Sequence, residues 1–281
     1  MASLELDLVN ALEDIDDDGV ASSTSHRRRR VRWGRGLVLV LAAAYFIIPI
    51  YAALQFSLQD IHGNFSLEPF TQIFSQPGFA SALWLSTQLA IATMAITMAL
   101  MVPTVIYVHL RMPRFRSVME AITMMPIVIP PIVLVVGVLG ASPLWLKSTP
   151  YLLALVYVIL AMPFVYRSLD AGLGALDVRT LVEASRSLGS SWITTIVRVL
   201  VPNLRSALLS ASVLTLALVF GEFTMANLDG WTTIPVWIAF APTVNPRINT
   251  LVAMIFLLGT AAMLMALVSL DRSHAKKSGR K

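Results

Sequence analysis

Cysteine is absent from the 281 residues, which excludes disulfides and thiolate metal sites and leaves the redox compartment unread. Charge is scarce as well. Only 13% of residues are Asp, Glu, Lys or Arg, against about 25% in soluble domains, while 57% are hydrophobic and the mean hydropathy is +0.75. A soluble fold needs polar surface to cover its core, and this composition cannot supply it. A soluble enzyme, a nucleic-acid binder and a disordered regulator are all disfavoured. Catalytic signatures are missing too: neither HExxH nor GxSxG occurs, and no GxxxxGK[ST] phosphate loop is present. His26, His62, His109 and His274 fall in tails, loops or a span end. The expectation is a non-enzyme, with no metal site and no P-loop ATP hydrolysis of its own.

What is present is apolar length. A spanning helix needs about 20 apolar residues, and six stretches qualify: Gly36–Leu58, Leu83–Val108, Val118–Ala141, Tyr151–Leu169, Ala207–Leu228 and Ile248–Leu270. The fourth is the weakest, because Arg167 ends its charge-free part, although that side chain can snorkel to the headgroups. The runs do not alternate and are too long for barrel strands. The fold class is therefore all-α, a polytopic membrane protein with six transmembrane helices. The first run outlasts a signal-peptide core and reads as an uncleaved span.

Residues 1–25 hold seven acids and no Lys or Arg, so the remaining chain has 21 bases against 9 acids. The bases flank the apolar runs, which turns a pI near 9.8 towards the membrane rather than nucleic acid. Nineteen of them fall before span one, between spans two and three, around and after span four, or in the tail; the opposite side has Lys147 and Arg247. Both termini are thus expected to be cytoplasmic. The domain reading is 1–35, an acidic, disordered tail with a basic juxtamembrane run; 36–270, the membrane domain; and 271–281, a basic cytoplasmic tail.

Proline is plentiful inside the apolar runs. Pro126, Pro130 and Pro131 crowd the third, where each removes a backbone hydrogen bond and favours a kink. Such a cluster fits either ordinary bundle packing or a moving pathway helix. Glu222 is the one acid well inside a late span, which makes it a functional-site hypothesis. The competing reading pairs it with a neighbouring helix. Trp231 and Trp237 in the 227–247 loop, with Trp84 and Trp145, read as interfacial anchors; a re-entrant segment is the second reading of that loop.

The connection of about 35 residues after span four is too long for a simple link. Asp177 suits an N-cap; Val178, Leu181, Val182, Ser185 and Leu188 then fall on one apolar helix side, and Gly189 supplies a stop. Ser190 or Ser191 would cap a second helix, Trp192–Val201, ending at Pro202. Arg179, Glu183 and Arg186 are spaced for i,i+4 and i,i+3 pairs. From physics alone the segment is an amphipathic hairpin lying on the membrane.

Glu183-Ala184-Ser185, three residues, Gly189, nine residues, then Val199-Leu200-Val201-Pro202 resembles the EAA signature of binding-protein-dependent ABC importer permeases. Ser185 replaces the second Ala and Val201 a Leu, both mild changes; the spacing is intact. The resemblance extends over roughly Leu83–Leu270. It implies that 177–202 is a coupling loop whose Glu183, Ala184, Ser185, Leu188, Gly189 and Pro202 engage a separate ATPase subunit, in two copies, which binds the ATP and magnesium. It further implies a second permease, a copy or a homologue, an extracytoplasmic solute-binding protein docking on loops 59–80, 142–150 and 227–247, and a place in the bacterial inner membrane. Three further stretches, Ile129–Leu134, Leu216–Phe223 and Ile234–Ile238, are similar to permeases of the polyamine, ferric-iron and phosphonate group. A polyamine is the first substrate expectation, with Glu222 as its counter-ion and Pro130 and Pro131 on the pathway; iron(III), phosphonate or another small solute is the alternative. An ion-coupled secondary transporter would place several ionisable groups near the midplane, where Glu222 stands nearly alone.

Overall fold

The computed structural model describes residues 34, 36–60, 62–241 and 246–278; the acidic head lies outside them. The chain divides into two units, residues 1–56 and 57–281. In the first, helix α1 (Gly36–Ser57) is apolar on every side, as a helix surrounded by lipid must be.

In the second unit, α2 (Phe79–Arg111), α5 (Tyr151–Gly174) and α8 (Arg205–Gly221) pack on one another, with α3 (Arg116–Val128) against α5. The expected weakest span is in fact the centre of the bundle: 61% of the apolar window of α5 is buried. A helix enclosed by protein does not need lipid-level hydrophobicity, which reconciles its charges with its place. Gly172 lets α8 come close, since a Cβ there would lie 2.5 Å from the Ala207 Cβ. Small residues permit this approach between membrane helices.

The third expected span is broken rather than continuous. Helix α3 ends at Val128 and α4 (Pro131–Ala141) leaves it at 98°. Ile129 and Pro130 are extended, with ψ of 122° and 135°, because each precedes a proline that bars the helical region. The fifth span is also shorter than expected. Helix α8 stops at Gly221, Glu222 is extended, and a separate short helix α9 (Thr224–Leu228) follows. Among the described residues, four helices are long and apolar enough to cross a membrane, or up to six if each bent pair is one span.

Beyond α9, helix α10 (Ile234–Phe240) folds back on the start of α2. Its Ile234 N–H donates to Ser86 Oγ at 2.8 Å. Trp237 is 3% exposed, donates its indole N–H to the Pro77 carbonyl at 2.9 Å and meets Phe79 edge-on. It is a core residue, not the expected interfacial anchor; an aromatic spacing alone does not tell the two apart. Trp84 and Trp145 do stand exposed. Helix α11 (Pro246–Ser278) closes the unit and runs past the expected end at Leu270.

Candidate functional site

The loop after α5 folds into a hairpin. Asp177 caps helix α6 (Val178–Ser187), its carboxylate accepting the Thr180 N–H at 3.2 Å and hydroxyl at 2.8 Å. The Thr180 side-chain bond is the main reason the Asp177 carboxyl is held below the usual carboxylate range. Gly189 then turns the chain with φ +81°, a left-handed conformation that side chains disfavour. Its N–H donates to Arg186 O and the Ser190 N–H to Ser185 O, closing the helix end. Nothing lies within 4 Å of where a Gly189 Cβ would stand.

Ser191 caps the next segment, accepting the Thr194 N–H at 3.2 Å. This segment, α7 (Trp192–Asn203), ends one residue past Pro202. Its Ile196–Leu200 stretch opens into a wider π-turn, which places Pro202 in the first turn of Val201–Asn203. The change of direction comes at Leu204, where α8 leaves at 78°.

One side of the hairpin is anchored and the other is free. Val178, Val182, Leu200 and Leu204 join a buried cluster with Val105 and Ile106 of α2 and Val165, Tyr166, Leu169 and Leu173 of α5. Ser185 is buried and shares a 3.0 Å hydrogen bond with Thr195, so the hydroxyl that departs from the expected Ala joins the two halves of the hairpin. Glu183, Ala184, Gly189 and Pro202 are exposed. Leu188, expected on the apolar side, is 87% exposed, because the turn at Gly189 rolls it away from the bundle. Glu183 accepts from Arg179 Nε at 2.9 Å, whereas Arg186 does not pair with Glu183 and instead donates to Ser190 O. The Arg186 and Arg111 guanidiniums both lie over the Trp192 ring.

Behind the hairpin is a cluster that sequence reasoning missed. Arg116 of α3 grips Asp170 of α5 through two 2.6 Å bonds, Tyr166 donates to Arg116 O at 3.0 Å, and His109 Nδ1 lies 3.7 Å from Asp170. Arg116 counts in the sequence only as a topology charge. The available signal was an acid one residue past the expected end of span four.

Glu222, Pro130 and Pro131 lie away from the hairpin, at the starts of two short helices that pack on each other. Val135 of α4 packs in the same cluster as Met225 and Ala226 of α9. The Glu222 carboxylate accepts the Met225 N–H at 2.8 Å, the Ala226 N–H at 3.2 Å and the Tyr157 hydroxyl at 3.0 Å. It therefore starts α9 and ties the break after α8 to α5.

No protein-family model matches the chain. A crystal structure of a bacterial ABC transporter involved in the import of the acidic polysaccharide alginate shares the fold, with a TM-score of 0.64 at 12% identity over 88% of this chain and 96% of that one. A probable molybdenum ABC transporter permease protein of Haloferax volcanii is 29% identical over 225 residues, covering 74% of this chain and 80% of that protein. A probable sulfate transport system permease protein of Nephroselmis olivacea is 30% identical over 222 residues, covering 74% of this chain and 75% of that protein. With its bundle of apolar helices, the chain is a multi-pass membrane protein and belongs to the ABC transporter permeases.

Proposed function

We propose that this chain forms half of the translocation path of an ATP-driven importer of a small tetrahedral oxyanion, of the molybdate and sulfate class. The observation that carries the reading is the hairpin 177–202, fixed to α2, α5 and α8 on one side and presenting Glu183, Ala184, Leu188 and Gly189 on the other. A separate ATPase, in two copies, docks there and holds the ATP and magnesium. Glu183 is already poised beside a cation, and its exposed pair with Arg179 is exchangeable because surface ion pairs are weakly held. When the ATPases close, the hairpin moves as one piece, since its buried face joins three helices. A second permease completes the path, and an extracytoplasmic binding protein delivers the solute to the 59–80, 142–150 and 227–247 loops.

The oxyanion class is favoured by the names of the two relatives. A polyamine has less support here than in the sequence. It needs Glu222 as a counter-ion, and that carboxylate already receives three hydrogen bonds from this chain. Glu222→Gln with polyamine uptake lost and oxyanion uptake absent throughout would restore the polyamine reading.

The test begins with gentle-detergent purification from the native membrane and identification of the co-purifying proteins. An ATPase with a Walker motif and a second permease are the expected companions. A chain that comes down alone in detergents that preserve such complexes would favour an ion-coupled transporter. Glu183→Ala and Gly189→Asp should then abolish uptake while membrane insertion persists. Wild-type uptake by a stably assembled Gly189→Asp complex would remove the coupling role.

A further inference from the structure

Helix α2 carries a groove along its last two turns that no coupling role uses. Pro103, Tyr107 and Leu110 of α2 and Ile196 of α7 line it, Arg111 and Trp192 stand at its end, and its volume is about 620 Å³. That is within the ~300–1,000 Å³ of ordinary ligand sites. The lining away from its Arg111 end is mostly apolar, and Thr104 there already spends its hydroxyl on the Leu100 carbonyl at 2.6 Å. The groove follows one helix face, because positions 103, 107 and 110–111 recur at helical spacing.

Its open end has the opposite chemistry. The Arg111 guanidinium lies 5.6 Å from the Trp192 ring centroid, and Arg186 lies 5.7 Å from the same ring. Among the described residues no carboxylate is within ion-pair distance of Arg111 or Arg186. Tyr107, in the same lining as Arg111, is exposed. An apolar channel in a membrane helix, ending in two cations around an indole, matches an acyl chain below and a phosphate above: arginine takes phosphate in a forked grip, and tryptophan sits at headgroup depth.

We infer that this groove binds one anionic phospholipid, its acyl chain along Pro103–Leu110 and its phosphate on Arg111 and Arg186. This rests on the reading above only for the leaflet, which is the cytoplasmic one if the hairpin faces the ATPase. The lipid would then brace Trp192, the first residue of α7, against α2, and make the posture of the hairpin depend on membrane charge.

The test uses the full chain in nanodiscs of mixed phosphatidylcholine and phosphatidylglycerol, with retained lipid counted by native mass spectrometry. Wild type should retain phosphatidylglycerol preferentially. Arg111→Gln should lower that preference about fivefold, the effect of one basic residue near a lipid surface, while Arg114→Gln, an arginine outside the groove, should not. A phosphatidylglycerol carrying a photoreactive acyl chain should label the Pro103–Arg111 segment of the unmutated chain, and excess phosphatidylglycerol but not phosphatidylcholine should compete. This arm needs no variant to fold. Equal retention of the two lipids by wild type, equal losses in the two variants, or labelling spread along all apolar helices would overturn the inference. So would an Arg111→Gln chain that loses its co-purifying ATPase with lipid preference intact, since the groove would then belong to a protein partner. Selective lipid retention by a chain with no ATPase partner would leave the lipid site standing and remove the importer reading instead.

Discussion

Gly172 shows how much one missing side chain does in this bundle. Its absent Cβ leaves room for Ala207 of α8, and an alanine there would push two tightly packed helices apart. Gly172→Ala should destabilise the protein by about 1–3 kcal/mol, the usual cost of overpacking, seen as a lower thermal midpoint in detergent. Adding Ala207→Gly should recover most of the loss; if it does not, the contact is not the cause. Asp177 makes a different residue-level point. Its carboxyl is held below the ordinary range chiefly by the Thr180 hydroxyl, so the cap is stabilising while ionised and is lost as pH falls through and below about 4. The protection factor at the first turn of α6, taken relative to the intrinsic exchange rate at each pH, should be high at neutral pH and fall in acid, and Asp177→Asn should flatten that dependence.

At the scale of elements, the two breaks deserve equal weight with the long helices. Pro130 and Pro131 set the 98° turn between α3 and α4, and each proline costs about 3 kcal/mol in a helix interior. Replacing both with alanine should straighten the pair, lengthening the distance between spin labels placed on α3 and α4, and should impair uptake without loss of the folded chain. An unchanged distance would mean that packing against α9, not proline, holds the bend.

The sequence carries the elements unevenly. Asp177, Gly189 and Ser191 are local signals, and each does in the structure what its chemistry dictates. Helix continuity is less legible: a mean apolar content reads 118–141 and 207–228 as spans because it cannot register a dihedral change at Ile129 or Glu222. The Arg116–Asp170 grip joins residues 54 positions apart, so the acid at the end of span four shows locally but its partner does not. Trp237 and Leu188 exchange their expected surroundings because burial is settled by which element folds over which, as α10 does over α2.

For the whole molecule, orientation is the property on which the proposed coupling depends, and the absence of cysteine makes it directly measurable. Leu188→Cys and Leu144→Cys, both at highly exposed positions, should react oppositely with a membrane-impermeant thiol reagent on intact cells. Leu144→Cys should label at once and Leu188→Cys only after lysis. The reverse pattern would turn the hairpin away from any ATPase.

The same architecture gives assembly a direction. Helix α5 is the most enclosed of the long helices yet carries Arg167 and Asp170, whose counterparts Glu120 and Arg116 both sit on α3. Synthesis delivers α3 before α5, so the partners of those charges are already present when α5 emerges. The order of the helices thus lets the Arg116–Asp170 pair close as the chain is made, and Arg116→Glu should slow the acquisition of protease resistance by α5 in a pulse-chase.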